Sequence, residues 1–160
     1  MIAFETDVHI NRPIQEVFTY VSDPLTFPRW NSAVQAVRRT SAAEPAVHST
    51  YLMERELPTG RAVNELEIVA SEPPHQFAIR ATAGPTPFLY RYRFSAENGK
   101  TVIRLDAQVE LAGAAASLPM FARRLVKRGV DDNLTTLKQI LEAARHPDRA
   151  TVPPRLNHAP

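Results

Sequence analysis

"FLYRYRFSAENGKTVIRLDA", residues 88–107, decides the fold of this chain. Two runs of alternating apolar and polar residues meet at Asn98-Gly99, a dipeptide that tolerates the positive φ angles of the tightest hairpin turns. Centring a turn there sets Tyr92 opposite Leu105 and Tyr90 opposite Ala107. Because strand side chains alternate between faces, Tyr90, Tyr92, Phe94, Ile103 and Leu105 then share one side, and Arg91, Arg93, Arg104 and Asp106 the other. The stretch is an antiparallel hairpin with one face that must be covered.

Working outward, residues 33–111 keep a period near two, with breaks at Pro45, Pro58, Pro73-Pro74, Pro85 to Pro87 and Asn98-Gly99, which predicts six strands. A turn at Pro58-Thr59 sets Met53 opposite Asn64, Arg55 opposite Ala62 and Glu56 opposite Arg61. Turning at Pro73-Pro74 sets Leu66 opposite Ala81, Ile68 opposite Ile79 and Glu67 opposite Arg80. The Pro85-to-Pro87 turn is expected to pair Ile79 with Tyr92 and Ala81 with Tyr90. A slip by one residue at any turn would exchange the faces, and none does so. Leu66, Ile68, Phe77 and Ile79 join the apolar face, while Glu54, Glu56, Arg61, Glu65, Glu67 and Arg80 join the charged one. There, Arg93 opposite Arg104 needs a nearby carboxylate to be tolerable.

Ahead of these strands, residues 2–11 alternate as a seventh, with Phe4, Thr6, Val8 and Ile10 on one side. Asn11 or Arg12 is then expected to cap a helix that has Pro13 at its first position and Ile14, Val17, Phe18 and Val21 at helical spacing. Asp23-Pro24 breaks that helix, since a residue before proline is pushed out of the helical region. Pro28 limits the next one to a turn or two, ending at Trp30, the only tryptophan, which reads as a packing anchor. At the other end, residues 117–145 predict a long helix whose Leu118, Phe121, Leu125, Val130, Leu134, Leu137, Leu141 and Ala144 form a stripe expected to cover the sheet. Arg123, Arg124, Lys127 and Arg128 on that helix, followed by Asp131 and Asp132, read as a solvated face.

Composition limits the function. At 160 residues the chain fits one domain, expected over residues 1–145, with the proline-rich "HPDRATVPPRLNHAP" at 146–160 as a flexible tail. A net charge of +2 gives no reason to expect nucleic acid as partner. The absence of cysteine excludes disulfides, thiolate metal sites and a cysteine nucleophile. No apolar run reaches membrane-spanning length and the first residues carry acids where a leader needs bases, so the expectation is a cytoplasmic protein without stable membrane insertion. A homodimer is compatible with the sequence. There is no His-Glu-x-x-His, nucleophile elbow, phosphate loop or dinucleotide fingerprint, so no cofactor, metal site or catalytic residue is assigned.

The order strand, two short helices, six strands, long helix, together with "DPLTFPRWN" at 23–31 and "LTTLKQILEAA" at 134–144, resembles the START-like superfamily, also called SRPBCC or polyketide cyclase/dehydrase-like. That resemblance implies an α+β helix-grip fold: a curved seven-stranded antiparallel sheet around the C-terminal helix, with an apolar cavity between them. Among its relatives are lipid-transfer domains, plant pollen allergens and aromatic polyketide cyclases.

The register places a row of Tyr51, Leu66, Ala81, Tyr90 and Ala107 across the inner sheet, with Met53, Asn64 and Ala83 in the neighbouring row and Tyr92 as a further candidate contact on the same face. Small alanines beside tyrosine hydroxyls and an amide are what a ligand pocket needs, mostly apolar with a few orienting polar groups. Arg55 turns inward on the same strand as Met53, at the rim, and an inward guanidinium calls for a carboxylate, phosphate or carbonyl oxygen. Asn64 is read either as a contact to a ligand oxygen or as a core amide satisfied by backbone. In the family picture Gly129 would face the sheet and widen the cavity; the alternative is a kink ahead of Asp131 and Asp132. The leading expectation is therefore binding of a hydrophobic small molecule such as a lipid or polyketide. Two others stand beside it: a polyketide cyclase/dehydratase whose Tyr, Asn or Arg polarises a carbonyl, and a protein-interaction domain with no ligand.

Overall fold

A computed structural model describes residues 1–41 and 45–144; the tail expected at 146–160 lies outside the described residues. The elements run β1 (Ile2–Ile10), α1 (Ile14–Val21), a 3-10 turn (Pro24–Thr26), α2 (Phe27–Trp30), β2 (Val34–Arg39), β3 (Thr50–Leu57), β4 (Gly60–Glu72), β5 (Gln76–Ala83), β6 (Phe88–Glu97), β7 (Lys100–Val109), α3 (Ala114–Ser117) and α4 (Pro119–Ala143). One curved antiparallel sheet in the order β1-β7-β6-β5-β4-β3-β2 contains all seven strands. The fold is the α+β helix-grip arrangement, with α4 packed chiefly along β1 and against α2.

Register follows from the turns. Met53 faces Asn64 and Arg55 faces Ala62. Leu66 faces Ala81, and Tyr90 faces Ala107. The β5–β6 pairing departs from expectation: Tyr90 lies opposite Ile79, and Phe88 opposite Ala81. The chain turns one residue earlier than its prolines suggest, because Gly84 takes a φ of +94°. The partner therefore shifts by two residues, an even number, and every side chain keeps its face. On the outer face Arg93 does stand opposite Arg104, and Asp106 supplies the carboxylate that Arg93 needs.

Two further departures concern helices. Pro13 precedes α1 as its N-terminal cap residue in extended conformation, not as its first helical residue. The long helix starts at Pro119, after the separate short α3, and its predicted stripe is buried only in part. Val130, Leu134, Leu137 and Leu141 are buried, whereas Leu118, Phe121 and Leu125 are 63%, 62% and 56% exposed. The stripe that faces the protein runs instead through Ala122 and Val126. Bulky residues on the neighbouring flank thus point away from it. Trp30 is the anchor it was read as: it is buried against Phe27 with ring centroids 5.3 Å apart, and its indole N–H donates to Thr26 Oγ1 at 3.2 Å.

Candidate functional site

Alternation along β3 sends Tyr51, Met53 and Arg55 to the inner face, with Arg55 nearest the β3–β4 turn. Its Nε and Nη2 donate to Asn64 Oδ1 at 2.9 and 2.6 Å. Nη2 also lies 2.7 Å from the Pro85 carbonyl and 2.8 Å from Thr86 Oγ1. The guanidinium carbon stands 5.8 Å from the Phe88 ring centroid. Every oxygen around this cation is neutral, and among the described residues Arg55 forms no ion pair. Partial burial pulls its pKa below the ordinary guanidinium value, with Tyr90 acting in the opposite sense. The group still keeps its charge at any physiological pH. Its Nη1 makes no hydrogen bond to a described residue, so two N–H donors of a half-buried cation remain open.

Asn64 is what holds Arg55 there. It is fully buried, and its Nδ2 donates to the carbonyls of Ala83 at 2.8 Å and Pro85 at 3.0 Å. With two bonds accepted and two donated the amide is saturated. The second of the two readings made from the sequence is therefore the observed one, and Asn64 positions Arg55 instead of offering a free group. Gly84 makes this packing feasible. A Cβ there would come within 2.1 Å of the Val63 carbonyl and 2.7 Å of the Asn64 amide. From sequence Pro85 is a turn residue only, and Gly84, Thr86 and Phe88 carry no site role; a glycine in "AGPTP" is the signal, but which groups crowd its missing side chain depends on pairing between distant strands.

Next to Arg55, β6 lines the inner face with rings. Phe88 and Tyr90 have centroids 4.5 Å apart, Tyr90 and Tyr92 6.4 Å, and Tyr92 stacks on Phe77 at 6.0 Å. Here the expectation of an interior held open by alanines is corrected. Ala81 and Ala107 are only 2% and 1% exposed. Each lies directly opposite an aromatic residue, Ala81 against Phe88 and Ala107 against Tyr90. Such cross-strand neighbours are close enough for a ring to fill the room that a methyl leaves. Tyr51, Met53, Leu66 and Tyr92 are likewise buried, while Phe88 and Tyr90 are only partly so. The inner face is thus closed over its middle and accessible at the Arg55–Phe88–Tyr90 end.

The hydroxyls of Tyr51, Tyr90 and Tyr92 stay protonated. Burial pushes the Tyr90 pKa up to about 12 despite the opposing Arg55 charge. Burial also raises Tyr92 further, aided by Tyr90. Tyr51 is raised by burial, against the charge of Arg39, whose guanidinium lies 5.8 Å from the Tyr51 ring centroid.

Gly129 does not join this set. It is exposed within a continuous α4, and an added methyl would meet nothing within 4 Å. Two surface depressions also lie apart from Arg55. An open groove of about 700 Å³ runs between α1 and the turn after it, past Tyr20, Asp23, Leu25 and Arg29. A hollow of about 370 Å³ includes Thr40, Thr50, Glu65 and Glu67. Neither touches Asn64 or Tyr90, and neither gathers the unpaired charge and aromatic wall that Arg55 has beside it.

Solved structures share this architecture. A protein from Thermus thermophilus superposes with a TM-score of 0.76 at 15% identity, over 91% of this chain and 100% of its own. A START superfamily protein from Mycobacterium smegmatis gives 0.72 at 14% identity, over 88% of this chain and 97% of its own. The di-domain ARO/CYC StfQ from the steffimycin biosynthetic pathway gives 0.72 at 15%, over 88% of this chain and 51% of its own. At such identities the likeness is one of fold alone. No curated protein matches the sequence. The family described as polyketide cyclase/dehydrase and lipid transport matches residues 1–142, nearly all of the described chain, and the protein belongs to that family.

Proposed function

We propose that this protein binds a hydrophobic small molecule with an oxygen-bearing head group, at the Arg55 end of the space between the sheet and α4. One observation carries the reading: a half-buried guanidinium beside an aromatic wall has only neutral oxygens around it and two N–H donors of Nη1 uncommitted. Desolvating a cation without a counter-charge is costly, and a carboxylate, enolate or polarised carbonyl arriving there would offset the cost. Phe88 and Tyr90 offer apolar surface to the remainder of such a molecule. Its entry requires those two partly exposed rings to move, since the alanines beneath them are covered.

The test is a titration with a fluorescent fatty acid. Arg55→Met keeps the length and apolar stem but removes the charge, and should weaken binding about tenfold or more, the scale of a charge-assisted hydrogen bond. The corresponding fluorescent alcohol should bind wild type and variant alike. Equal affinity of both proteins for the acid would remove Arg55 from the site.

A second reading uses the same atoms. The Tyr90 hydroxyl, held protonated to about pH 12, and the Arg55 cation together could stabilise an enolate oxygen, which is what cyclisation of a poly-β-keto chain demands. The family includes such enzymes by description. Turnover of a poly-β-keto substrate that falls on Tyr90→Phe without loss of affinity would favour it.

A further inference from the structure

Residues 111–130, "LAGAAASLPMFARRLVKRGV", contain no Asp or Glu and four cations: Arg123, Arg124, Lys127 and Arg128. Among the described residues, the same stretch carries half of the large apolar side chains that are prominently exposed. Leu118, Met120, Phe121 and Leu125 are 63%, 85%, 62% and 56% exposed, and their companions Met1, Leu25, Val47 and Val63 are scattered. Single exposed apolar residues are ordinary, but four within eight positions of one helix end are not. Arg124 and Arg128 follow Phe121 and Leu125 by three residues each, so they flank the apolar side chains on the helix surface. Arg123 donates to the Ala3 carbonyl at 2.9 Å and Lys127 pairs with Asp131 at 2.8 Å. Arg124 and Arg128 form no ion pair with a described residue.

We infer that this end of α4, residues 118–128, docks the protein reversibly on an anionic lipid bilayer. Large apolar side chains flanked by unpaired arginines are the pattern of a helix that lies in the interface, its apolar residues among acyl chains and its cations among head groups. Charge selects this occupant over a second copy of the chain. A two-fold contact through this face would bring the unpaired Arg124 and Arg128 of one copy against those of the other, with no carboxylate in residues 111–130 of either. A folded acidic partner would need a matching rigid surface. Met120, Phe121 and Leu125 instead project from successive positions around a convex helix, and a fluid layer accommodates that shape without complementarity. Spanning is excluded for the described helices, none of which is long and apolar enough to cross a membrane. This inference does not rest on the ligand reading, since neither Arg55 nor β6 takes part.

The experiment is flotation of the full chain with vesicles of one part phosphatidylglycerol to two parts phosphatidylcholine, against phosphatidylcholine alone. The protein should float with the anionic vesicles, remain behind with the neutral ones, and be released by about 0.5 M salt, where screening is nearly complete. Replacing both Arg124 and Arg128 by Ala should lower the partition coefficient about thirtyfold. Phe121→Ser with Leu125→Ser should lower it comparably, and Arg55→Met should leave it unchanged. All four surface positions are exposed, so unaltered thermal unfolding of these variants is the check that the protein is still folded. Failure of the folded wild type to float, flotation that ignores both variant pairs, or a dimer in solution that the serine pair dissolves would each overturn the inference.

Discussion

From Val130 onward hydrogen bonds tie α4 to β1, to Asn11-Arg12 and to Ser32, whereas ahead of Gly129 one arginine does that work. Asp131 accepts from Thr6 of β1, and Asn133 from the Ser32 backbone N–H at 3.1 Å. Lys138 reaches the His9 carbonyl, Arg12 the Leu141 carbonyl at 2.8 Å, and Glu142 the Asn11 N–H at 2.8 Å. The first half has the Arg123 bond to Ala3 and an exposed apolar flank. One continuous helix therefore has a clamped end and a lightly held end. The largest effect expected from this contrast is in stability. Leu137, wholly buried, should cost about 3 kcal/mol as Leu137→Ala, in the usual range for a core leucine. Leu125→Ala, on the exposed flank, should cost less than about 0.5 kcal/mol. Urea unfolding of the pair measures the difference. Equal losses would show the first half packed as firmly as the second, and would count against the bilayer contact.

A smaller effect of opposite sign separates the halves at their junction. Gly129 is exposed in the helix interior with open space around its missing side chain. Gly129→Ala should therefore raise stability by about 1 kcal/mol, the helix-propensity difference between the two residues. A shift of the unfolding midpoint upward checks this. A fall would mean that the position closes onto something in solution, as a cavity-lining glycine would.

How much of this was legible in the sequence differs along the same divide. Strand order, faces and three of four hairpin registers follow from turns whose chemistry is local, such as Asn98-Gly99. The fourth slipped because Gly84, Pro85 and Thr86 answer to distant groups: the Val63 carbonyl leaves no room for a Cβ at Gly84, while Arg55 and Asn64 bond to the Pro85 carbonyl. Arg55 could be placed on the inner rim by counting alternation. Its neutral coordination could not be read, because it depends on a loop thirty residues away. The alanine row showed the right face but not whether it was empty. That hinged on Phe88 standing opposite Ala81, a pairing set by the slipped register. Leu118, Phe121 and Leu125 repeat at helical spacing like Leu134, Leu137 and Leu141, and periodicity alone cannot distinguish a stripe that meets the sheet from one that meets solvent.

The smallest expected effect tests the clamp itself. Hydrogen bonding from Lys138, at 2.7 Å, and then from the Asn11 N–H holds the Glu142 carboxyl below its ordinary pKa of 4.5. A carboxyl depressed in the folded state binds fewer protons there than in the unfolded chain. Its contribution is therefore fully present above pH 4.5 and disappears as pH falls through the lower folded value. Glu67 is depressed too, by His48 and Arg80, so acid lability of the wild type alone would not identify the group. The difference between wild type and Glu142→Gln does. It should stay within about 0.5 kcal/mol near neutrality, as for a partly exposed helix pair, and shrink toward zero as acid protonates Glu142. Parallel stability curves for the two proteins down through that range would mean that Glu142 does not hold the β1–α1 junction, leaving the end of α4 clamped by Arg12, Lys138, Asp131 and its buried leucines.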